Sequence, residues 1–278
     1  MPEGCEIWHS ADILREKCKG KKITEVSYAS KFDRMLTGIE EDLPLEILDV
    51  VPRGKRISFV NSNENGEGSA IVFFYALTGR LCFKKPKKPV VTFTLLSDEG
   101  EETSLYFEDR NMLGFVKYAI SVYQVNEIFK SIGPDFLAGE VTLEIFRSVI
   151  ENKRMKNKCI ADLLLDQKRF SGIGNWLRAE ILRAAGISPH RTLGSLEKDD
   201  IDILYESSMK IMKKGYAKGG MESNNYLDPL GNKGKYQSKV YGREEDPDGN
   251  EVVKEKIGPL PKGKDNRRTI HWCPDVQE

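Results

Sequence analysis

The strongest constraint on the fold is a change in the hydrophobic period near residue 122. Before it, the chain contains short alternating or β-branched runs separated by polar turns, a pattern typical of strands. These runs are residues 23–28, 47–51, 56–60, 70–76, 90–96 and 104–107. From Val122 onwards, apolar residues recur at helical spacing. The sequence therefore predicts a β-rich first domain followed by a helical one.

A helix is predicted before the first strand. Ile7, Ala11 and Leu14 lie on one helical face, and Gly20 follows as a stop signal. Together these patterns predict an α+β fold, in which residues 1–121 form an N-terminal helix and a two-layer antiparallel β-sandwich.

The helical part is predicted to cover residues 122–238. Helices at residues 160–170 and 176–185 flank Gly172-Ile173-Gly174-Asn175, and another spans residues 196–213. Residues 214–238 are rich in Gly, Asn and Lys, which predicts a mobile connection.

The final segment, residues 239–278, is predicted to be a β-hairpin module. Its strands are expected at residues 239–241, 251–254 and 269–272, around a turn at residues 246–250.

Charge is balanced overall but unevenly distributed. The 278 residues include 43 basic and 43 acidic side chains, and basic residues cluster in segments 153–169 and 254–268. Such clusters suit phosphate contact, although a charge run is more often just a solvated surface. The five scattered cysteines lack any Cys-x-x-Cys pair, which argues against a disulfide framework and a four-thiolate zinc site.

No apolar stretch is long enough to span a bilayer, and Glu3 and Glu6 interrupt the start, so no signal peptide is predicted. We expect a soluble protein inside the cell.

Once Met1 is removed, the chain begins with a secondary amine beside a carboxylate, Pro2-Glu3. An α-amino group has a pKa of roughly 7.7–8.0, against about 10.4 for lysine, so it is a better nucleophile near neutral pH. Attack by a secondary amine on an aldehyde-like carbon gives a cationic iminium, which withdraws electrons from neighbouring bonds. Glu3 is suited to moving protons. The alternative is that Pro2 only occupies the first turn of a helix.

Gly172-Ile173-Gly174-Asn175 has the character of a phosphate-binding turn. Paired glycines expose backbone N–H groups at a helix start, and Asn175 is predicted to cap that helix and offer its amide to the anion. A purely structural turn remains the alternative.

Seven motifs occur in a specific order over nearly the whole chain. They are Met1-Pro2-Glu3-Gly4-x-Glu6, Gly54-Lys55, Leu77-Thr78-Gly79, Gly133-Pro134-Asp135-Phe136-Leu137, Leu165-Asp166-Gln167, Ser171-Gly172-Ile173-Gly174-Asn175 and Val240-Tyr241-Gly242-Arg243. In this order they resemble the formamidopyrimidine-DNA glycosylase and endonuclease VIII family of DNA-repair enzymes. The fifth and sixth resemble the family's helix–two-turn–helix.

The resemblance implies roles for individual residues. Pro2 resembles the family nucleophile and Glu3 its acid/base partner. Lys55 resembles the lysine that contacts phosphate beside the lesion and assists catalysis, and Asn175, after Gly174, resembles the asparagine that grips the same phosphate. Family members flip a damaged base out of the duplex, cleave its glycosidic bond and break the strand by β,δ-elimination through a Schiff base.

The terminal hairpin departs from the family pattern. The usual family member holds zinc there with two cysteine pairs, but this chain has Pro247-Asp248-Gly249-Asn250 at the first pair and only Cys273 at the second. The resemblance implies a zincless finger, with no metal and no other cofactor. Arg268 resembles the finger arginine that holds a phosphate, with Arg267 as the alternative.

The residues that fill the space left by the flipped base are expected on two loops. Leu77 corresponds to the family's wedge, Leu113 replaces a phenylalanine, and the arginine position falls on Arg110 or Asn111.

The resemblance thus implies a bifunctional DNA glycosylase and lyase for oxidised bases, with pyrimidines favoured because the chain start resembles the endonuclease VIII branch. Its expected partner is double-stranded DNA with oxidised bases or abasic sites, and single-stranded or bubble DNA stays open. We expect a monomer located at DNA, in the nucleus of a eukaryote or in a cytoplasmic or viral setting, and not at a membrane. The alternative is a catalytically reduced DNA-binding paralogue, against which intact Pro2, Glu3, Lys55 and Arg268 argue.

Overall fold

The computed structural model describes residues 2–223, 226–257 and 267–278. The chain forms two compact units, Met1–Ser131 with Glu222–Lys235, and Ile132–Met221 with Tyr236–Glu278. These bounds differ from the three predicted segments. The helix at residues 122–129 packs on the strand at residues 115–119 and therefore belongs to the first unit. The terminal hairpin packs on a helix of the second unit and therefore belongs to that unit.

Among its described residues, the first unit contains the N-terminal helix, eight strands and one further helix. In chain order these are α1 Gly4–Cys18, β1 Lys22–Tyr28, β2 Leu45–Arg53, β3 Arg56–Ser62, β4 Gly68–Phe74, β5 Gly79–Cys82, β6 Val91–Leu96, β7 Glu102–Asp109, β8 Phe115–Ala119 and α2 Val122–Phe129. The short strands β5 and β8 were not predicted.

The eight strands form one antiparallel sheet in the order β5-β7-β6-β1-β2-β3-β4-β8. β1 and β2 pair only at Lys22 and Ile23, which leaves the two halves of the sheet free to fold over each other. Phe73 of β4 meets Phe93 of β6 and Phe107 of β7, with ring centroids 5.8 and 6.1 Å apart. The predicted two-layer sandwich and N-terminal helix are therefore confirmed.

α1 is fixed to this unit from two sides. It packs on β2 and β3 through fully buried residues that include Ile7 and Leu14. On the other side, the buried Tyr226 donates a 3.1 Å hydrogen bond to the carbonyl of Glu6. Tyr226, which lies in the segment 214–238 for which a mobile connection was predicted, is thus packed against α1.

The second unit contains four helices and a two-stranded hairpin among its described residues. They are α3 Leu143–Ile150, α4 Ile160–Leu164, α5 Asn175–Ala185, α6 Lys198–Ala217, β9 Val253–Lys256 and β10 Thr269–Trp272. The helix predicted at residues 160–170 ends at Leu164, because the Asp166 carboxylate accepts the N–H of Lys168 and stabilises a turn. Phe170 nevertheless joins Phe136 and Phe146 in the core.

A strand was predicted at residues 239–241, but this prediction is wrong. The backbone N–H groups of Lys239, Val240 and Tyr241 all donate to the carboxylate of Glu180 on α5, at 2.8–3.1 Å. A chain segment that converges on one buried carboxylate cannot also pair with a neighbouring strand. Glu180 thereby attaches the start of the terminal hairpin to α5.

The turn at residues 246–250 is built around another buried carboxylate. Asp246 accepts the backbone N–H groups of Asp248 and Asn250, each at 2.9 Å. It also accepts Nη2 of Arg183 from α5 at 2.6 Å. Burial alone raises the pKa of Asp246, but the hydrogen bonds from Arg183 and Asn250 outweigh it and hold the pKa well below its usual range. An ion pair thus stabilises this turn.

We predict that the Asp246→Asn variant lowers the free energy of unfolding by about 1–3 kcal/mol at pH 7, because it loses a charge-assisted pair. A depressed pKa stabilises the fold above the unfolded-state pKa of about 4, and this stabilisation is lost as the pH falls further. The stability gap between wild type and variant should therefore narrow from pH 5 to pH 3. Thermal unfolding followed by circular dichroism measures it.

The control is Asp275→Asn, which changes an exposed carboxylate in the same unit. The role of Asp246 would be contradicted if Asp275→Asn lowered the stability as much as Asp246→Asn does. It would also be contradicted if the stability difference between wild type and Asp246→Asn stayed constant down to pH 3.

Candidate functional site

The start of the chain is fixed by reciprocal hydrogen bonds. Glu3 is the N-cap of α1, its backbone N–H donates to the Glu6 carboxylate at 3.0 Å, and its own carboxylate accepts the N–H of Glu6. This capping box satisfies two donors that a helix start leaves unpaired. Pro2 therefore lies before the helix and outside its first turn, which excludes the purely helical explanation of this proline.

Both carboxylates of the cap are buried, with Glu3 and Glu6 each 3% exposed, and Pro2 is buried as well. The cap holds a carboxylate one residue from Pro2, the arrangement needed for an amine nucleophile assisted by proton transfer.

Lys55 lies in the loop between β2 and β3, the strands on which α1 packs. Arg53 and Arg56 pair across this loop, so it has only two residues. Gly54 takes the first position with φ of +58°, a backbone conformation that suits glycine in a hairpin turn. The Gly54-Lys55 motif thus serves to present a lysine at the end of a rigid hairpin.

Two loops of the first unit present the apolar side chains Leu77 and Leu113, which are 40% and 58% exposed. A buried carboxylate, Asp109, holds both loops. It accepts the hydroxyl of Thr78 from one and the backbone N–H of Gly114 from the other. Arg110, the next residue, is exposed.

Backbone strain occurs at the same two loops. Ala76 and Met112 have φ of +48° and +53°, and among the described residues they are the non-glycine residues with positive φ. Each immediately precedes an exposed leucine, Leu77 or Leu113. Such strain costs about 1–3 kcal/mol and persists only where the surrounding structure enforces it, often at functional sites.

In the second unit, α4 and α5 flank the helix–two-turn–helix loop. The side-chain amide of Gln167 donates to the carbonyl of Ile173 at 2.7 Å and accepts the N–H of Gly172 at 3.1 Å. Gly172 has φ of +93°, which favours glycine. The N-cap of α5 is Gly174 and not Asn175, which is the first helical residue. The predicted cap is therefore wrong, and the asparagine side chain is not used to close the helix.

The Asn175 side chain instead contacts the guanidinium of Arg178, which donates to its Oδ1 at 3.3 Å. The same Nη2 atom donates to the carbonyl of Thr269 at 2.9 Å, at the start of β10. Arg268 directly precedes that strand, is exposed, and makes no hydrogen bond or ion pair with other described residues. The structure thus links two predicted phosphate ligands within one unit.

Sequence reasoning missed the residues that position the site. Gln167 is part of a recognised motif and Asp109 directly precedes Arg110, so both positions carried a usable signal, but neither was given its structural role. The sequence contains no signal for the role of Arg178, because a single arginine in a helix is usually an exposed cation.

Four cysteines are unsuited to act as nucleophiles. Burial raises the pKa of the Cys82 thiol to about 11 and that of Cys18 to about 12. It also raises the pKa values of Cys159 and Cys273. Because the thiolate is the reactive form, these side chains are inert near neutral pH.

Within residues 2–223, 226–257 and 267–278, no cluster of three or more His, Cys, Asp or Glu side chains has the geometry to hold a metal ion. In the same ranges, no helix has the length and apolar character needed to cross a membrane.

Comparison with known proteins identifies the family. Residues 132–226 match the formamidopyrimidine-DNA glycosylase H2TH domain. Over its full length, the chain is 30% identical to the full-length formamidopyrimidine-DNA glycosylase of Listeria monocytogenes serotype 4b (strain F2365). It is likewise 26% identical to the full-length endonuclease 8 of Escherichia coli O139:H28.

A solved structure, the complex between the Lactococcus lactis Fpg and an abasic site containing DNA, has a TM-score of 0.81 with this chain. The sequences are 25% identical, and the match covers 99% of each chain. The helix–two-turn–helix, the capped N-terminus and these full-length matches lead to one conclusion: the chain belongs to the formamidopyrimidine-DNA glycosylase and endonuclease VIII family.

Proposed function

We propose that this protein is a DNA glycosylase and abasic-site lyase that removes oxidised bases, with Pro2 as its nucleophile. The observation that carries the proposal is the capping box of α1, which leaves Pro2 outside the helix with the carboxylate of Glu3 beside it. Family membership supports the same reaction, and the raised thiol pKa values remove four competing nucleophiles.

In the proposed reaction, the unprotonated Pro2 nitrogen attacks C1′ of the damaged nucleotide and displaces the base. The base leaves with the electron pair of the glycosidic bond and takes up a proton. Ring opening gives an iminium between Pro2 and C1′, which acidifies the C2′–H bond. Loss of that proton expels the 3′ phosphate, and a further elimination expels the 5′ phosphate. Glu3 transfers the protons in these steps.

The substrate class follows from the chain start and the exposed loop residues. We propose oxidised pyrimidines, since Met1-Pro2-Glu3-Gly4 resembles the endonuclease VIII branch. Leu77, Leu113 and Arg110 fill the space left by the extruded nucleotide, which limits the cost of unstacking. The Lactococcus lactis relative binds DNA containing an abasic site. Abasic-site DNA is therefore the first partner to test, followed by bubble and single-stranded DNA.

We predict that the mature protein begins at Pro2 and forms a covalent complex with abasic-site DNA that borohydride reduction makes permanent. Intact mass spectrometry reads the N-terminus, and denaturing electrophoresis reads the complex. Pro2→Gly should reduce trapping, because a primary amine replaces a secondary one. Protein that retains Met1 should not be trapped, because its Pro2 nitrogen is an amide.

Efficient trapping of the Met1-retaining protein would refute the assignment and indicate another amine, either a lysine or the α-amine of Met1. If the mature protein bound abasic-site DNA but formed no borohydride-trapped complex, the alternative of a DNA-binding paralogue would be favoured.

We also predict that Lys55, Asn175 and Arg268 bind DNA phosphate. Each should contribute about 1–3 kcal/mol to binding. Removing one cation should reduce the slope of log affinity against log salt by about one unit. Fluorescence anisotropy at several salt concentrations measures both quantities for Lys55→Ala, Asn175→Ala and Arg268→Ala.

The matched control is Lys210→Ala, which removes an exposed cation from α6. Arg268→Ala with wild-type affinity and slope would contradict the finger assignment.

The terminal hairpin is proposed to function without zinc. A structural zinc would supply folding energy directly, so its removal would destabilise the protein. Because the hairpin is proposed to hold no zinc, we expect exhaustive chelation to leave glycosylase activity and the melting temperature unchanged. Elemental analysis before and after chelation provides the measurement. Stoichiometric zinc that is lost together with activity would overturn this prediction.

A further inference from the structure

Arg178 is the largest side chain that the described residues bury completely, with an exposed fraction of 0%. It lies on α5, one helical turn after Asn175. Its Nη1 donates to the carbonyl of Ala161 in α4 at 3.3 Å, while Nη2 donates to Asn175 Oδ1 and to the carbonyl of Thr269. One guanidinium therefore joins both helices of the helix–two-turn–helix to the start of β10.

This contact fixes the orientation of the Asn175 amide. Because Oδ1 accepts from Arg178, the Nδ2 donor is directed away from the guanidinium. Nδ2 makes no hydrogen bond to another described residue, so it is available to an anion. Without Arg178, rotation by 180° would present the oxygen instead, which an anion repels.

The same guanidinium constrains Arg268. Thr269, whose carbonyl it binds, follows Arg268 directly and pairs with Lys256, where β9 ends and β10 begins. This hydrogen bond anchors the backbone immediately after Arg268, and so restrains the position from which the arginine side chain extends.

We propose that Arg178 is a positioning residue, which orients the Asn175 amide and the base of the Arg268 side chain so that both bind one DNA phosphate. This inference rests on the proposed phosphate role of Asn175 and Arg268. Arg178 itself cannot touch DNA, since its side chain is fully buried. The guanidinium is suited to this task because its planar fork donates in several fixed directions at once, whereas a lysine ammonium is a single point.

The test compares Arg178→Met and Arg178→Lys with wild type in binding to a duplex that contains a tetrahydrofuran abasic-site analogue. We expect Arg178→Met to weaken binding about tenfold, as for the loss of one charge-assisted contact. Its salt slope should also become shallower by up to one unit. A buried residue releases no counterions, so a change in slope must act through Arg268. Arg178→Lys should bind with intermediate affinity.

Double variants separate positioning from folding. In an Asn175→Ala/Arg268→Ala background, Arg178→Met should weaken binding less than twofold further, because the residues through which it acts are gone. The control is Arg147→Met, which removes a bidentate pair between α3 and Asp202 of α6 in the same unit. It should lower the melting temperature without changing the salt slope.

The inference is overturned if Arg178→Met keeps wild-type affinity and slope, or if it weakens binding equally in the background that lacks Asn175 and Arg268. Should Arg178→Met fail to fold, wild-type affinity and slope of Arg178→Lys would overturn it as well. A different result, wild-type binding by both Asn175→Ala and Arg268→Ala, would instead refute the proposed phosphate role on which the inference rests.

Discussion

A buried backbone N–H group must find an acceptor, and in the loops of this protein buried carboxylates provide it. Outside helices and strands, an unpaired donor costs about 1–3 kcal/mol, so irregular segments are stable only where acceptors are built in. Glu3, Asp109, Glu180 and Asp246 each accept backbone N–H groups, and each is almost completely buried. They stabilise the chain start, the two leucine loops, the entry to the hairpin and its turn.

The β-sandwich supplies the rigidity on which these loops depend. Its strands alternate inward and outward residues, and aromatic side chains of both layers meet edge to face in the core. Arg56 adds a polar support at the periphery, where its guanidinium lies 5.4–5.9 Å from the ring centroids of Phe74, Phe115 and Phe129. The hairpin that presents Lys55 is therefore fixed immediately beyond its loop.

Much of this fold could be predicted because hydrophobic period is a local property. α1 and most strands of the sheet followed from spacing alone. β5 was missed because four residues, Gly79–Cys82, are too short to establish alternation. The strand prediction at residues 239–241 was wrong for another reason. The β-type pattern is present there, but the backbone N–H groups donate to the carboxylate of Glu180, about sixty residues away. Pairings of this kind have no local signature.

The candidate site, like the fold, could be predicted from the sequence only in part. Motif order indicated the residues expected to contact DNA, and the geometry of Pro2, Gly54 and Gly174 gives physical reasons for several of those positions. Sequence could not show that Gly174, and not Asn175, caps α5, because either residue is a good N-cap. Nor could it show that a single arginine joins Asn175 to β10, since burial of a charged side chain is decided by the tertiary structure.

The capping box at the chain start also limits how this protein can evolve. The Glu3 carboxylate stabilises the first turn of α1, and in the proposed reaction it also transfers protons. Asp, Ser or Thr would cap the helix as well as glutamate, but their shorter side chains would hold the proton-transferring group elsewhere. Selection for a more stable helix and selection for turnover thus act on one side chain. Substitutions that stabilise the protein without altering turnover are therefore expected at other positions.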